Sequence, residues 1–154
     1  MNGRVDSSSR LINADADRIY AAFIDPVAVA TWLPPSDMTG TVLAFEPKPG
    51  GVMRMELTFR HADHATPGKS SADTDIVEGY FVRLVPAQEV VQRYTFRSDD
   101  PAFAGVMTMT WSLEPEGEGT RVTVTAENVP AGIDPQDHET GMNSSLENLA
   151  RYTE

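Results

Sequence analysis

The sequence predicts an α+β two-layer fold, in which a curved antiparallel sheet of about six to seven strands packs around a long C-terminal helix. Between residues 41 and 127, apolar and polar residues alternate with period two, a pattern typical of half-buried antiparallel strands. Apolar residues at helical spacing precede and follow this region. The expected order is therefore β-α-α, six strands and a helix. Because each predicted strand has one apolar face that only helices can cover, the simplest packing is a curved sheet around the last helix.

The N-terminal part is predicted to form one strand and two short helices. Residues 7–13 form the strand, and the Asp15 carboxylate is a suitable N-cap for a helix with apolar residues at positions 19, 20, 23 and 24. Pro26 interrupts that helix and can begin a second one over residues 27–33, which a pair of prolines then ends.

The alternating region divides into six strands separated by turns. The pattern is clearest in the second strand, where apolar residues at 53, 55, 57 and 59 face one way and polar residues face the other. Residues 62–73 are rich in Ala, Asp, Gly, Pro and Ser, and are predicted to form a loop. The predicted strands are residues 41–46, 52–61, 74–85, 89–97, 105–113 and 120–127.

The last segment is predicted to be a long amphipathic helix. Asp134 is a good N-cap, and the proline that follows it suits the first helical position. Met142, Leu146 and Leu149 fall on one apolar stripe. Gly141 within the helix costs about 1 kcal/mol relative to Ala, which favours a role in close packing or in access to a cavity.

Composition excludes several classes of function. The 154 residues include 12 Lys+Arg, 23 Asp+Glu and no Cys, with a formal net charge of −11. This length predicts a single domain over residues 1–154, with its core at about 7–153. Acidity argues against nucleic-acid binding, and no apolar run is long enough for a membrane span. Without an apolar signal sequence or Cys, we expect a cytoplasmic protein with no disulfide or thiolate site.

Short stretches along the chain form a recognisable series: Ile24-Asp25-Pro26 with Trp32, Pro49-Gly50-Gly51, Gly79-Tyr80-Phe81-Val82, residues 109–115, 119–122 and 127–130, and Gly141-Met142 to Leu149-Ala150. In this order they resemble the SRPBCC (START-like, helix-grip) superfamily and, within it, the branch related to the activator of heat-shock protein 90 ATPase. The resemblance covers about residues 7–154 and implies the helix-grip fold. It leaves function open, because this fold serves lipid carriers, hormone receptors, polyketide cyclases and co-chaperone domains.

Two residues depart from the pattern that the resemblance implies. Met142 stands where relatives often have Trp, which places a flexible side chain towards the expected cavity. Ala126 stands where relatives often have His, which removes a candidate polar or catalytic group. Both departures favour apolar binding over acid–base chemistry.

The leading functional prediction is therefore binding of an apolar small molecule (lipid-like, aromatic or polyketide-like) between the sheet and the C-terminal helix. Methionines are adaptable enough for such a surface, although ordinary core packing is the simpler interpretation of each one. Gln92 could orient the ligand by hydrogen bonding. The predicted lining is Trp32, Met53, Met55, Leu57, Tyr80, Gln92, Tyr94, Phe96, Met107, Met109, Trp111, Met142, Leu146 and Leu149.

Two alternatives remain open at this point. One is an enzyme of the cyclase, dehydratase or hydrolase type, which needs an inward titratable group such as Glu78, Tyr80 or Tyr94. For Glu78, exposure on a strand is the simpler interpretation. The other alternative is a chaperone-interaction module, suggested by the resemblance alone. We assign no catalytic residue, and the balance favours a binding protein over an enzyme.

The remaining motifs support no site. His61, Asp63 and His64 could bind a metal in principle, but a Pro- and Gly-rich loop preorganises ligands poorly. Residues 65–70 resemble a phosphate-binding loop, yet the required Gly is absent at Asp63. His138 is predicted to be a solvated surface residue. We expect no metal, cofactor, nucleic acid or membrane span, and we leave self-association open with a homodimer preferred.

Overall fold

The computed structural model describes residues 3–35, 38–59 and 74–154. Its seven strands form one antiparallel sheet in the order β1-β7-β6-β5-β4-β3-β2, and the predicted α+β helix-grip fold is confirmed. In the described part of the chain, no helix is long and apolar enough to cross a membrane. The α-helices and strands are β1 (Val5–Ile12), α1 (Ala16–Phe23), α2 (Pro26–Trp32), β2 (Met38–Phe45), β3 (Val52–Phe59), β4 (Thr74–Val85), β5 (Glu89–Phe96), β6 (Met107–Glu116), β7 (Gly119–Glu127) and α3 (Pro135–Thr153), with a short 3₁₀ helix at Pro101–Phe103 between β5 and β6.

The helices begin where capping residues satisfy their first backbone N–H groups. Asp15 Oδ1 accepts a hydrogen bond from the Arg18 backbone N–H at 2.8 Å, which confirms the predicted start of α1. Asp134 Oδ1 accepts two such bonds at the start of α3, from Gln136 at 2.9 Å and Asp137 at 3.1 Å. Each helix therefore starts at a position that local sequence chemistry determines.

Several strands differ in extent from the prediction, and β1 covers Val5–Ile12 rather than residues 7–13. β2 begins at Met38, three residues earlier than expected, because its pairing with β3 continues to Phe59. β6 begins at Met107 rather than residue 105 and continues to Glu116. Gly105 has a φ of 103°, which a regular strand does not adopt, so the ladder starts only after it.

The pairing register defines the inner face of the sheet, which is the face towards the helices. Directly opposed residues of antiparallel strands share a face. One row across β3 to β6 is Met53, Gly79, Tyr94 and Met107. The next row, across β4 to β7, is Phe81, Gln92, Met109 and Ala126. The main core lies between this face and the three helices.

An aromatic cluster joins the two N-terminal helices to the sheet. The Phe23 ring centroid lies 4.8 Å from that of Trp32 and 5.3 Å from that of Trp111, and both pairs are edge-to-face. The two Trp centroids are 5.4 Å apart. Trp32 Nε1 donates a hydrogen bond to the Ala22 carbonyl at 2.8 Å, so its polar atom is satisfied within the core.

Candidate functional site

The structure brings most of the predicted lining residues together on the inner face, on α2 and on α3. Ten of the fourteen are buried, three are half-buried and one is exposed. The buried ones include Trp32 and Trp111, which pack against each other in the aromatic cluster. The half-buried ones are Leu57, Phe96 and Met109. The full buried set is Trp32, Met53, Met55, Gln92, Tyr94, Met107, Trp111, Met142, Leu146 and Leu149.

The inward orientation predicted for Tyr80 is wrong. Tyr80 is 41% exposed and opposes Arg93 on the outer face of the sheet, where Arg93 Nη1 donates to Tyr80 Oη at 3.4 Å. The inward residue is its neighbour Phe81, which is fully buried and lies 5.5 Å from Phe45 between ring centroids. Both faces of β4 carry apolar residues, so alternation alone could not set the phase. One feature of the sequence did favour the correct phase: Phe81 has a fully apolar ring, whereas its neighbour Tyr80 carries a hydroxyl.

Part of the inner face is incompletely covered. Leu57, Val77, Phe96 and Met109 all face inward by register, yet each remains half-buried. Val77 opposes both Met55 and Phe96, so these side chains form a continuous apolar surface across β3, β4 and β5. An inward apolar surface that the helices do not fully cover is suited to an apolar partner.

Tyr94 is the polar residue of this surface with the most unusual environment. Its side chain is 5% exposed, and its hydroxyl has no hydrogen-bond partner among the described residues. Burial raises the pKa of the Tyr94 hydroxyl far above its ordinary value, so the phenol stays protonated and neutral. A buried hydroxyl without a partner costs roughly 1–3 kcal/mol, so its presence in the interior calls for an explanation.

Gln92, two residues before Tyr94, has its oxygen already engaged. The Trp111 Nε1–H donates to Gln92 Oε1 at 3.2 Å. Since an indole N–H can only donate, this contact fixes which end of the amide is the oxygen. The amide nitrogen, a donor, is therefore the end that is left to meet any other group.

The predicted surface location of His138 is also wrong. Only 14% of its side chain is exposed, and its Nδ1 lies 2.7 Å from Asp6 Oδ2. Arg4 holds the same carboxylate with two hydrogen bonds of 3.1 and 2.7 Å, and the Arg4 bond is the main reason why the pKa of Asp6 is lowered. Sequence reasoning missed this cluster because Asp6 fell outside the predicted first strand.

The groups named for catalysis do not come together. Glu78 lies on the outer face, where its carboxylate pairs with Arg97 and lies 3.7 Å from Arg54 Nε. This agrees with the simpler interpretation of Glu78 as a strand residue outside the core. Tyr80 is outward as well, so Tyr94 is the one of the three that faces inward. As a neutral phenol, Tyr94 can donate a hydrogen bond but is unsuited to act as a base at neutral pH.

A separate groove of about 460 Å³ lies beside the β4–β5 turn. It shares no residue with the predicted lining, and its walls include two carboxylates. The described residues contain no group of three His, Asp or Glu side chains placed to hold a metal ion. His61, Asp63, His64 and the phosphate-loop-like residues 65–70 lie outside the described residues. The groove is lined by Val85, Gln88, Glu89, Ser112, Leu113, Glu114 and Pro115.

Comparison with known proteins identifies the family. Residues 13–154 match the family described as activator of Hsp90 ATPase homolog 1-like protein. The chain belongs to this family. The resemblance seen in the sequence is therefore confirmed. Among proteins with curated descriptions, none matches this chain.

Solved structures similar to this family member share its fold over nearly the whole chain. Protein CV1439 from Chromobacterium violaceum is 29% identical with a TM-score of 0.84, covering 97% of this chain and 96% of that one. A protein from Arthrobacter aurescens is 19% identical with a TM-score of 0.78, covering 97% and 85%. One from Staphylococcus epidermidis is 18% identical with a TM-score of 0.73, covering 99% and 93%.

Proposed function

We propose that this protein binds an apolar small molecule between the inner face of the sheet and α3. The observation that carries the proposal is the set of inward apolar side chains that the helices leave half-buried: Leu57, Val77, Phe96 and Met109. Each of the four also packs against buried core residues, so this surface is continuous with the core. A ligand that removes the four side chains from water would gain roughly 25 cal/mol for each Å² of apolar surface buried.

The methionines of the inner face make this surface adaptable. Met53 and Met107 stand at the two ends of the row that contains Tyr94, and Met109 lies in the next row. Unbranched thioether side chains change shape at little cost and fit irregular ligands. Rearrangement of these side chains is therefore one way to make room for a ligand.

The test is native mass spectrometry of freshly purified protein, followed by denaturation and identification of released small molecules. The proposal predicts a stoichiometric apolar compound, or binding of the added apolar probe 9-fluorenone. Protein that carries no compound and binds no probe would contradict the proposal.

Two matched variants locate the binding. Val77→Phe adds volume on the inner face of β4 and is expected to weaken probe binding. Ile76→Phe adds similar volume to the half-buried residue next to it, which faces the other side of the sheet, and should leave binding unchanged. Equal effects of the two substitutions would place the binding elsewhere.

The family description favours a second candidate, interaction with the Hsp90 chaperone, since it names an activator of Hsp90 ATPase. This candidate predicts that purified protein changes the ATPase rate of Hsp90 and co-elutes with it. No change in rate and no co-elution would dismiss it. Catalysis in the same space remains the third alternative, with Tyr94 as its hydrogen-bond donor.

A further inference from the structure

The polar groups on the inner face indicate which functional group the ligand carries. This inference rests on the proposed function. Tyr94 and Gln92 are both inward residues of β5, separated by one outward residue. Residues i and i+2 of a strand lie on the same face roughly 6.6–6.8 Å apart along it. One ligand of moderate size could therefore contact both side chains.

Both residues present donors. The Tyr94 hydroxyl is buried and unpartnered among the described residues, and as a protonated phenol it can donate one hydrogen bond. Gln92 has its oxygen taken by the Trp111 indole, which leaves its amide N–H groups. A ligand that meets these groups must accept hydrogen bonds.

The inner face also carries a buried carboxylate, that of Asp75, but this residue lies at a distance from Tyr94 and Gln92. Asp75 opposes Leu57 near the start of β4, four residues before the Gly79 that opposes Tyr94. That separation is about 13 Å along the strand. The surroundings of Tyr94 are instead apolar, with Met53 and Met107 in the same row. An unpaired charge on the ligand would be costly there.

We infer that the ligand is an uncharged apolar carbonyl compound, such as a ketone, quinone or ester, whose oxygen accepts the Tyr94 hydroxyl hydrogen. A carbonyl oxygen accepts hydrogen bonds without carrying a charge and, unlike a hydroxyl, adds no donor that would itself need a partner in this apolar surrounding. The bond supplies the partner that the phenol lacks, and so removes the cost of leaving the hydroxyl unpaired. Gln92 Nε2 is the second donor, available to a ligand with two acceptors.

The test compares two probes that differ in one carbonyl group, 9-fluorenone and fluorene. Dissociation constants are measured by quenching of Trp fluorescence for the wild type and for Tyr94→Phe. The wild type should bind fluorenone about fivefold more tightly than fluorene, after correction for their different solubilities. Tyr94→Phe should abolish this preference, because it removes the donor from which the fluorenone oxygen accepts.

The outcomes separate this inference from the proposed function. Equal binding of both probes by the wild type, or equal weakening of both by Tyr94→Phe, would overturn the carbonyl inference and leave apolar binding intact. Failure of both probes to bind the wild type would contradict apolar binding itself. Ile76→Phe provides a control that alters the other face and should keep the wild-type preference.

Discussion

Tyr94 packs across Gly79, its cross-strand partner on β4. A Cβ atom at Gly79 would lie 2.8 Å from Tyr94 Cδ1 and 1.9 Å from the Arg93 carbonyl oxygen. The absence of a side chain on β4 at this point is therefore what allows the phenol ring to occupy its place. The two residues together position the unpartnered hydroxyl on the inner face.

Gly79→Ala should be strongly destabilising. The added Cβ would collide with backbone as well as with the ring, so the strands themselves must shift. We expect the free energy of unfolding to fall by about 3 kcal/mol, measured by urea denaturation. A loss below roughly 0.5 kcal/mol, the range of ordinary surface substitutions, would show that the close packing is not required.

Gly141→Ala is the opposite case and should stabilise the protein. A Cβ at Gly141 meets only Pro35 Cγ at 3.9 Å, an ordinary contact. The substitution therefore gains helix propensity without a clash, and we expect an increase of about 1 kcal/mol in the free energy of unfolding. The same urea experiment checks it, and a decrease would mean that this glycine is needed for packing.

Tyr94→Phe should stabilise the ligand-free protein while it impairs ligand discrimination. The Tyr94 hydroxyl has no partner among the described residues. Its removal therefore removes a desolvation cost, and we expect a gain of about 1 kcal/mol. Thermal and urea unfolding of the ligand-free protein measure this gain. A loss of stability would indicate that the hydroxyl has a structural partner, and would weaken the argument that it serves a ligand.

The Asp6 carboxylate should contribute stability that depends on pH. Hydrogen bonds from Arg4 and then His138 lower the pKa of Asp6. Its contribution is therefore present above the unfolded-state value near 4 and is lost as the pH falls through the lower folded-state pKa. Asp6→Asn should cost about 2 kcal/mol at pH 7, and this difference should shrink towards pH 3.

Urea denaturation at pH 7, 5 and 3 measures the Asp6 effect. Asp99→Asn, at an exposed position, is the matched control and should change the free energy of unfolding little at any of the three pH values. A difference between wild type and Asp6→Asn that stays constant down to pH 3 would contradict the assignment.

Local patterns were sufficient to predict the fold. Alternation located the strands, and the caps at Asp15 and Asp134 located two helix starts, because these signals depend on residues close in sequence. Strand ends were less accurate, since the extent of β2 depends on its pairing with β3 rather than on its own residues.

The polar features of the site could not be predicted in the same way. The contact between Asp6 and His138 joins residues 132 positions apart, so no local sequence pattern predicts it. The orientation of Tyr80 could not be read from alternation, because β4 has apolar residues on both faces and only its pairing with β5 shows which face packs against the core. Among the described residues the Tyr94 hydroxyl has no partner, and this is a property of its whole surroundings that no local sequence pattern predicts.

The most direct test of the account is NMR of protein labelled with ¹³C at its methionine methyl groups, titrated with 9-fluorenone. Binding between the sheet and α3 predicts that the signals of Met53, Met107 and Met109 shift on saturation, and that Val77→Phe suppresses the shifts while Ile76→Phe does not. Saturable binding of fluorenone that leaves these three signals unchanged would contradict the proposed location.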